Sequence, residues 1–250
     1  MSDQLIALAL VLVSGAVLIF YGLRHRGKVA ALYPHPALQA LGNEVGRVAE
    51  EGRGIHVALG RSGITGTDAM TSVAAVRDLN ALVDLAAVYD TPPVITTGDP
   101  MLYLLAQNRM RKAYARLGNP GGFRMQSVHF VAASPLTYAA MAATYLYDSQ
   151  IGSNITLGGF EQEVTLLTDA ARRRGIQCYG GATSVAGLAA LYPALGPSEL
   201  AMGEELFTGG AAVDPRTSLQ GSLLAQDVLR ALLILGMIGL AAASLLGLGG

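Results

Sequence analysis

IHVALGRSGITGTDAM, residues Ile55–Met70, opens as a short apolar run, turns on glycines at 60, 63 and 66, and passes into a helical pattern. The run Ile55–Gly60 lacks clean alternation, so it reads as a strand covered on both faces rather than one with a wet side. Glycines reach backbone conformations that other residues avoid, which suits a sharp exit from the strand. A helix is predicted from about Thr67 to Tyr89. Strand, glycine turn and helix together are the building unit of a parallel α/β sheet.

The same unit recurs down the chain. Pro93–Gly98 leads to a helical pattern from Pro100 to about Leu117, and Ser127–Ala133 to one from Pro135 to about Asp148. Asn154–Gly159 leads to EQEVTLLTDAARRRG, and Ile176–Gly181 to SVAGLAALYPAL. Asp99-Pro100, Ser134-Pro135 and Asp214-Pro215 each put a capping side chain before a proline at the first helical position, where the missing N–H costs nothing. Gly118 and Gly175 stand just past helix ends, where a left-handed residue is wanted. The expected fold is α/β, a Rossmann-like parallel sheet of about five strands with right-handed crossovers.

The ends of the chain differ from its middle. Only 14% of residues are charged and 52% are hydrophobic, and the imbalance is concentrated in two uncharged runs, Leu5–Leu23 and Ala231–Gly250. Each has the roughly 20 residues that a helix needs to cross a bilayer. The leader MSDQ carries an acid and no base, and RHRGK (Arg24–Lys28) follows the first run, so that run reads as a retained anchor rather than a cleaved signal. Under the positive-inside rule this cluster and Arg230 stay cytoplasmic, which puts both termini outside a bacterial inner membrane. The expected organisation is an N-terminal transmembrane helix (1–24), a juxtamembrane segment with a short helix (25–52), a cytoplasmic α/β domain (53–213), and a long helix (214–250) continuing into the second anchor.

Ligands of open parallel sheets bind beyond the carboxyl ends of the strands. There this sequence places Gly60, Arg61, Ser62, Gly63, Thr97, Gly98, Gly159 and Gly181. These residues read in two ways: as a ligand-binding cleft of amides and helix N-termini suited to a small anion or nucleotide, or as ordinary turn and cap chemistry. Gly60-x-x-Gly63-x-x-Gly66 lacks the lysine of a P-loop and misses the dinucleotide fingerprint by one residue. Gly-Arg-Ser-Gly is also not a nucleophile elbow. Asp99 and Glu161 fall at strand-to-helix junctions and are the candidate catalytic acids, although a cap or a helix dipole uses an acid equally well.

No metal or resident cofactor is expected. His25, His35, His56 and His129 are scattered, and Cys178, the one cysteine, lies inside a predicted strand as a buried thiol. A net charge of −1 gives no reason to expect nucleic acid. The three arginines of ARRRG (Ala171–Gly175) suit a helix C-terminus.

Self-association has two signals. Gly239, Ala243 and Gly247 form a small-residue stripe in the second apolar run, able to pack within or between chains. SPLTYAAMAATYLYDS is apolar on nearly every side. Glu204 and Glu205, in ELAMGEELFTGG, read as a solvated face or a polar contact to a neighbouring chain.

The segment AMGEELFTGGAAVDPRTSLQGSLLAQDVLR, with the SNITLGGFEQE turn, resembles a family of uncharacterised bacterial membrane proteins that carry a Gly-Glu-Glu-Leu motif before the last transmembrane helix. The resemblance implies membrane location and a shared fold, and brings no reaction with it. The leading expectation is a homo-oligomeric scaffold or binding protein with a small anionic ligand at the strand ends, partnered by the bilayer and by copies of itself. The alternatives are an enzyme on a nucleotide-like or phosphorylated substrate, using Asp99, Glu161 and Arg61, and a subunit of a larger transport or respiratory complex. The residues lean away from an enzyme without deciding the matter.

Overall fold

Strands and helices alternate from Pro36 onward: α1 (Pro36–Glu50), β1 (Gly54–Gly60), α2 (Ala69–Val88), β2 (Val94–Thr97), α3 (Pro100–Arg116), β3 (Val128–Phe130), α4 (Pro135–Tyr145), β4 (Ile151–Gly159), α5 (Thr165–Arg174), β5 (Gln177–Ala182), α6 (Val185–Leu191) and β6 (Leu200–Met202). The computed structural model describes residues 11–17, 19–20, 36–66, 68–208, 225, 227–234 and 236–237. The chain divides into two compact units, Pro34–Val213 and a second made of Met1–Tyr33 with Asp214–Gly250. α1 therefore belongs to the α/β unit.

All the strand pairings are parallel, and the six strands run in the order β3-β2-β1-β4-β5-β6. This is the doubly wound order, and its direction reverses between β1 and β4. The sheet thus has six strands where the sequence predicts about five. β6 was not foreseen because three residues are too few to show a period. β4 also begins earlier than Asn154: Gly152 leaves room for Val48 of α1, whose Cγ1 would lie 2.9 Å from a Cβ there.

Burial follows from the strands' alternation. In β1, Ile55, Val57 and Leu59 join the core formed with α1, α2 and α3, while Ala58 joins the second core with α4, α5 and α6. Both faces are covered, which is why β1 reads as nearly continuously apolar. Local signals hold the helix ends. The Asp99 carboxylate accepts from the N–H groups of Met101 and Leu102, both at 2.9 Å, and fixes the start of α3. Gly175 closes α5 at φ +63°.

Among the described residues no helix is long and apolar enough to cross a membrane. Most of the two apolar runs lies outside the described residues, as do Asp214, Gly239, Ala243 and Gly247.

Candidate functional site

The reversal of strand order brings the loop after β1 against the loop after β4, and the contact is close. Gly60 has φ +73°, and a Cβ there would stand 2.5 Å from the Gly159 carbonyl oxygen. A Cβ on Gly159 would overlap the Ser62 side chain. Around them, Gly98 N–H donates to the Gly60 carbonyl at 2.9 Å, and Gly60 N–H donates to the Tyr138 hydroxyl at 3.2 Å. Ser62 donates to Asp68 at 3.0 Å and accepts at its carbonyl from Ser72 at 2.7 Å. The glycines here serve close backbone approach. Among the described residues the N–H groups of Ser62 and Gly63 meet no protein acceptor.

Arg61 is the cation of this junction. Its Nη2 lies 3.5 Å from Glu161 Oε1 and its Nε 3.9 Å from Glu163 Oε1, and that Nε is buried with no hydrogen-bond partner. Glu163 is buried and also accepts from Glu161 N–H at 3.2 Å, whereas Glu161 is 53% exposed. Asp68, on Ser62, and Asp99, whose Oδ2 would lie 2.7 Å from a Cβ on Gly63, add two more carboxylates. One guanidinium therefore stands among four acids, an arrangement whose field disfavours a polyphosphate.

The structure brings together Gly60, Arg61, Ser62, Gly63, Gly98, Asp99, Gly159 and Glu161. Thr97 is buried beneath them, its hydroxyl accepting from Asp99 N–H at 3.2 Å. Gly181 sits apart, packed under Leu206 and Ala201. Glu205 accepts from Met202 N–H at 2.7 Å within its own turn, and the side chain of Glu204 lies outside the described residues. Among the described residues no cluster of three or more His, Cys, Asp or Glu could hold a metal ion.

A buried polar row under α4 escaped the sequence reading. His56, Asn154 and Cys178 are cross-strand neighbours on β1, β4 and β5. His56 Nδ1 contacts Asn154 Oδ1 at 2.7 Å, and Nε2 contacts Thr96 Oγ1 at 3.1 Å. Asn154 Nδ2 donates to Cys178 Sγ at 3.1 Å. An amide oxygen only accepts, so Nδ1 carries the proton and Nε2 accepts from Thr96. The Tyr138 hydroxyl donates to the Thr96 carbonyl at 3.2 Å and so joins α4 to β2. His56 also stacks on Tyr145, and His129 meets the same ring at 4.8 Å. Burial pushes His56 down to about 4 and Cys178 up to about 12, so both are neutral at pH 7. The missed signal was a histidine and an asparagine in central strands, where a buried polar group needs a partner.

A doubly wound sheet with a tight glycine junction and an arginine–carboxylate cluster at its switch point defines a Rossmann-like α/β protein. The chain belongs to the family described as a domain of unknown function, DUF6754, which matches residues 1–247. No curated protein matches it, and neither does any solved structure.

Proposed function

We propose that the protein is a membrane-tethered binding protein whose α/β domain works as a scaffold in a homo-oligomer and holds a small monoanion at the β1/β4 switch point. The observation that carries the ligand reading is Arg61, partly exposed and paired across 3.5 Å with a Glu161 that is itself half in solvent. An exposed pair of this kind is worth little, about 0–1 kcal/mol, so a carboxylate ligand can replace Glu161 as the partner. Asp99 is engaged as a helix cap and Glu161 as a counter-ion, which favours binding over general-base chemistry.

The tether is supported by the two uncharged runs and by what their described parts expose. Val11, Leu12, Ile19 and Phe20, and Leu233, Ile234 and Met237, are all more than half exposed. Helical surface this apolar suits lipid better than water.

Native mass spectrometry of the full-length protein, released gently from its own membranes, tests both parts. The expected species is one homo-oligomer with a small carboxylate-class adduct that Arg61→Gln removes. A monomer carrying a stoichiometric nucleotide would overturn the scaffold and move the reading to enzyme chemistry.

A further inference from the structure

β3 is an open edge of the sheet: it pairs with β2 on one side and, among the described residues, with no strand on the other. The opposite edge is treated differently. There the N–H of Met202 in β6 donates to Glu205 Oε2 at 2.7 Å, and Glu199 precedes the strand. Charged side chains are a usual guard of an exposed edge. β3 has none, because between Arg124 and Asp148 the chain carries no Asp, Glu, Lys or Arg. Its three-residue length is the one guard it keeps.

Both sides of β3 are apolar and incompletely covered. His129 lies on the α4 side, half-buried, its ring 4.8 Å from that of Tyr145. Val128 and Phe130 lie on the other side, where Val128 is buried in the first core and Phe130 is 46% exposed. Met125 before the strand and Met141 on α4 are exposed as well. The backbone fixes which groups face outward. Val131 N–H donates to the Thr97 carbonyl at 2.9 Å, so by alternation His129 also faces β2, and the amides of Val128 and Phe130 point away from the sheet.

We propose that this edge pairs antiparallel with the same edge of a second copy, Val128 opposite Phe130, about a two-fold axis through His129. That register matches the whole of each strand with the other. Each Val128–Phe130 pair exchanges both backbone bonds and sets a β-branched side chain beside an aromatic one. An isologous contact needs a surface complementary to itself, and an uncharged surface brings no like charges together. Antiparallel pairing also sends the two Arg124 residues to opposite ends of the joint. The size of the patch favours a copy over a soluble partner. At about 200 Å² per large side chain, the exposed parts of Met125, Phe130 and Met141 come to roughly 300 Å². A stable interface between freely diffusing proteins takes roughly 800 Å² a side. A copy tethered to the same bilayer meets the edge at high effective concentration, so the smaller patch suffices. The pairing thus rests on the membrane-tethered, homo-oligomeric reading and names the surface that joins its α/β domains.

The test is single-cysteine cross-linking of the full-length protein in its own membranes, where the one native cysteine, Cys178, is buried and stays silent. On the axis the two copies of position 129 form a non-hydrogen-bonded pair with Cα atoms about 4.5 Å apart, within disulfide range. Under mild oxidation His129→Cys should give a dimer of twice the chain's mass, at least tenfold faster than Val185→Cys, which is 84% exposed on α6. Phe130→Lys in the same chain, a charge set beside the other copy's Val128, should slow the cross-link by about tenfold or more. Chains with native His129 give a second reading: the outward Val128 N–H should exchange with deuterium about tenfold more slowly than in the Phe130→Lys chain. Equal exchange in the two chains would overturn the pairing, and so would a cross-linked species of another mass, which puts a different protein on the edge. An oligomer in native mass spectrometry that yields no His129→Cys dimer would overturn the edge alone. A monomer there would overturn the homo-oligomeric reading with it.

Discussion

Acidification should destabilise this fold chiefly through His56. It is fully buried, its Nδ1–H is held by Asn154, and its Nε2 accepts from Thr96, so there is no place for a second proton. Burial lowers its pKa from 6.5 to about 4, against the raising effect of the Asn154 bond. The sign follows directly. Above pH 6.5 the imidazole is neutral in both states and contributes no pH dependence. Between pH 6.5 and about 4 the unfolded chain binds a proton that the folded chain refuses, so stability falls as pH falls, and the loss levels off below about 4. At roughly 1.4 kcal/mol per pH unit that interval comes to about 3 kcal/mol. In a unit of this size it corresponds to a fall in Tm of about 6–12 °C. His129, lowered mainly by burial, acts in the same direction. Asp169 is held down by Arg173 and Arg172, so it contributes only below its ordinary value of 3.8, outside the histidine window. The chain has 10 tyrosines and no tryptophan, so near-UV circular dichroism of the tyrosines is the natural probe. Tm measured from pH 7.5 to 4 should be flat and then drop. His56→Gln, which keeps a donor and an acceptor but cannot titrate here, should start lower and lose most of the slope. Parallel curves for the two proteins would refute the reasoning.

Two further outcomes follow from single contacts. Asp99→Ala should cost about 1 kcal/mol by removing two capping hydrogen bonds, and Asp99→Asn should recover most of it, read as Tm; equal losses in both would show that the cap is not Asp99's role. Gly159→Ala should cost about 1–3 kcal/mol because its methyl overlaps Ser62, and Ser62→Gly in the same chain should restore much of that. Additive effects in this double-mutant cycle would remove the contact from the account.

The fold was largely legible because its units repeat. Five apolar runs, each closed by a small residue and followed by a helical pattern, leave little choice but a parallel sheet. Strand order was not legible. Nothing in the local pattern of Pro93–Gly98 or Asn154–Gly159 says that one pairs to the left of β1 and the other to the right, so the switch point had to be seen. The candidate site was half legible. Gly60, Gly98 and Gly159 were identified at strand ends, but a glycine admitting a ligand and one admitting a neighbouring carbonyl look alike in sequence. Tyr138 and Glu163 were missed because they lie within helical patterns, and their contacts to Gly60 and Arg61 are made between distant segments.

The distribution of charge and side chains at the switch point decides what the crevice there can admit. At the switch point the loop spacing Gly60-x-x-Gly63 puts Arg61 against Glu161 and Glu163, and Ser62 over Gly159. The crevice that a Gly-x-Gly spacing would leave open for a pyrophosphate is thereby filled with side chain and surrounded by acids. On α3 four bases stand without an acid on their own helix, and one of them, Arg116, pairs with Asp84 of α2. The field at the strand ends therefore disfavours a polyanion, and the small monoanion proposed above would have to displace Glu161 from Arg61. A doubly wound sheet sets where a crevice forms, and the side chains placed in it decide what enters.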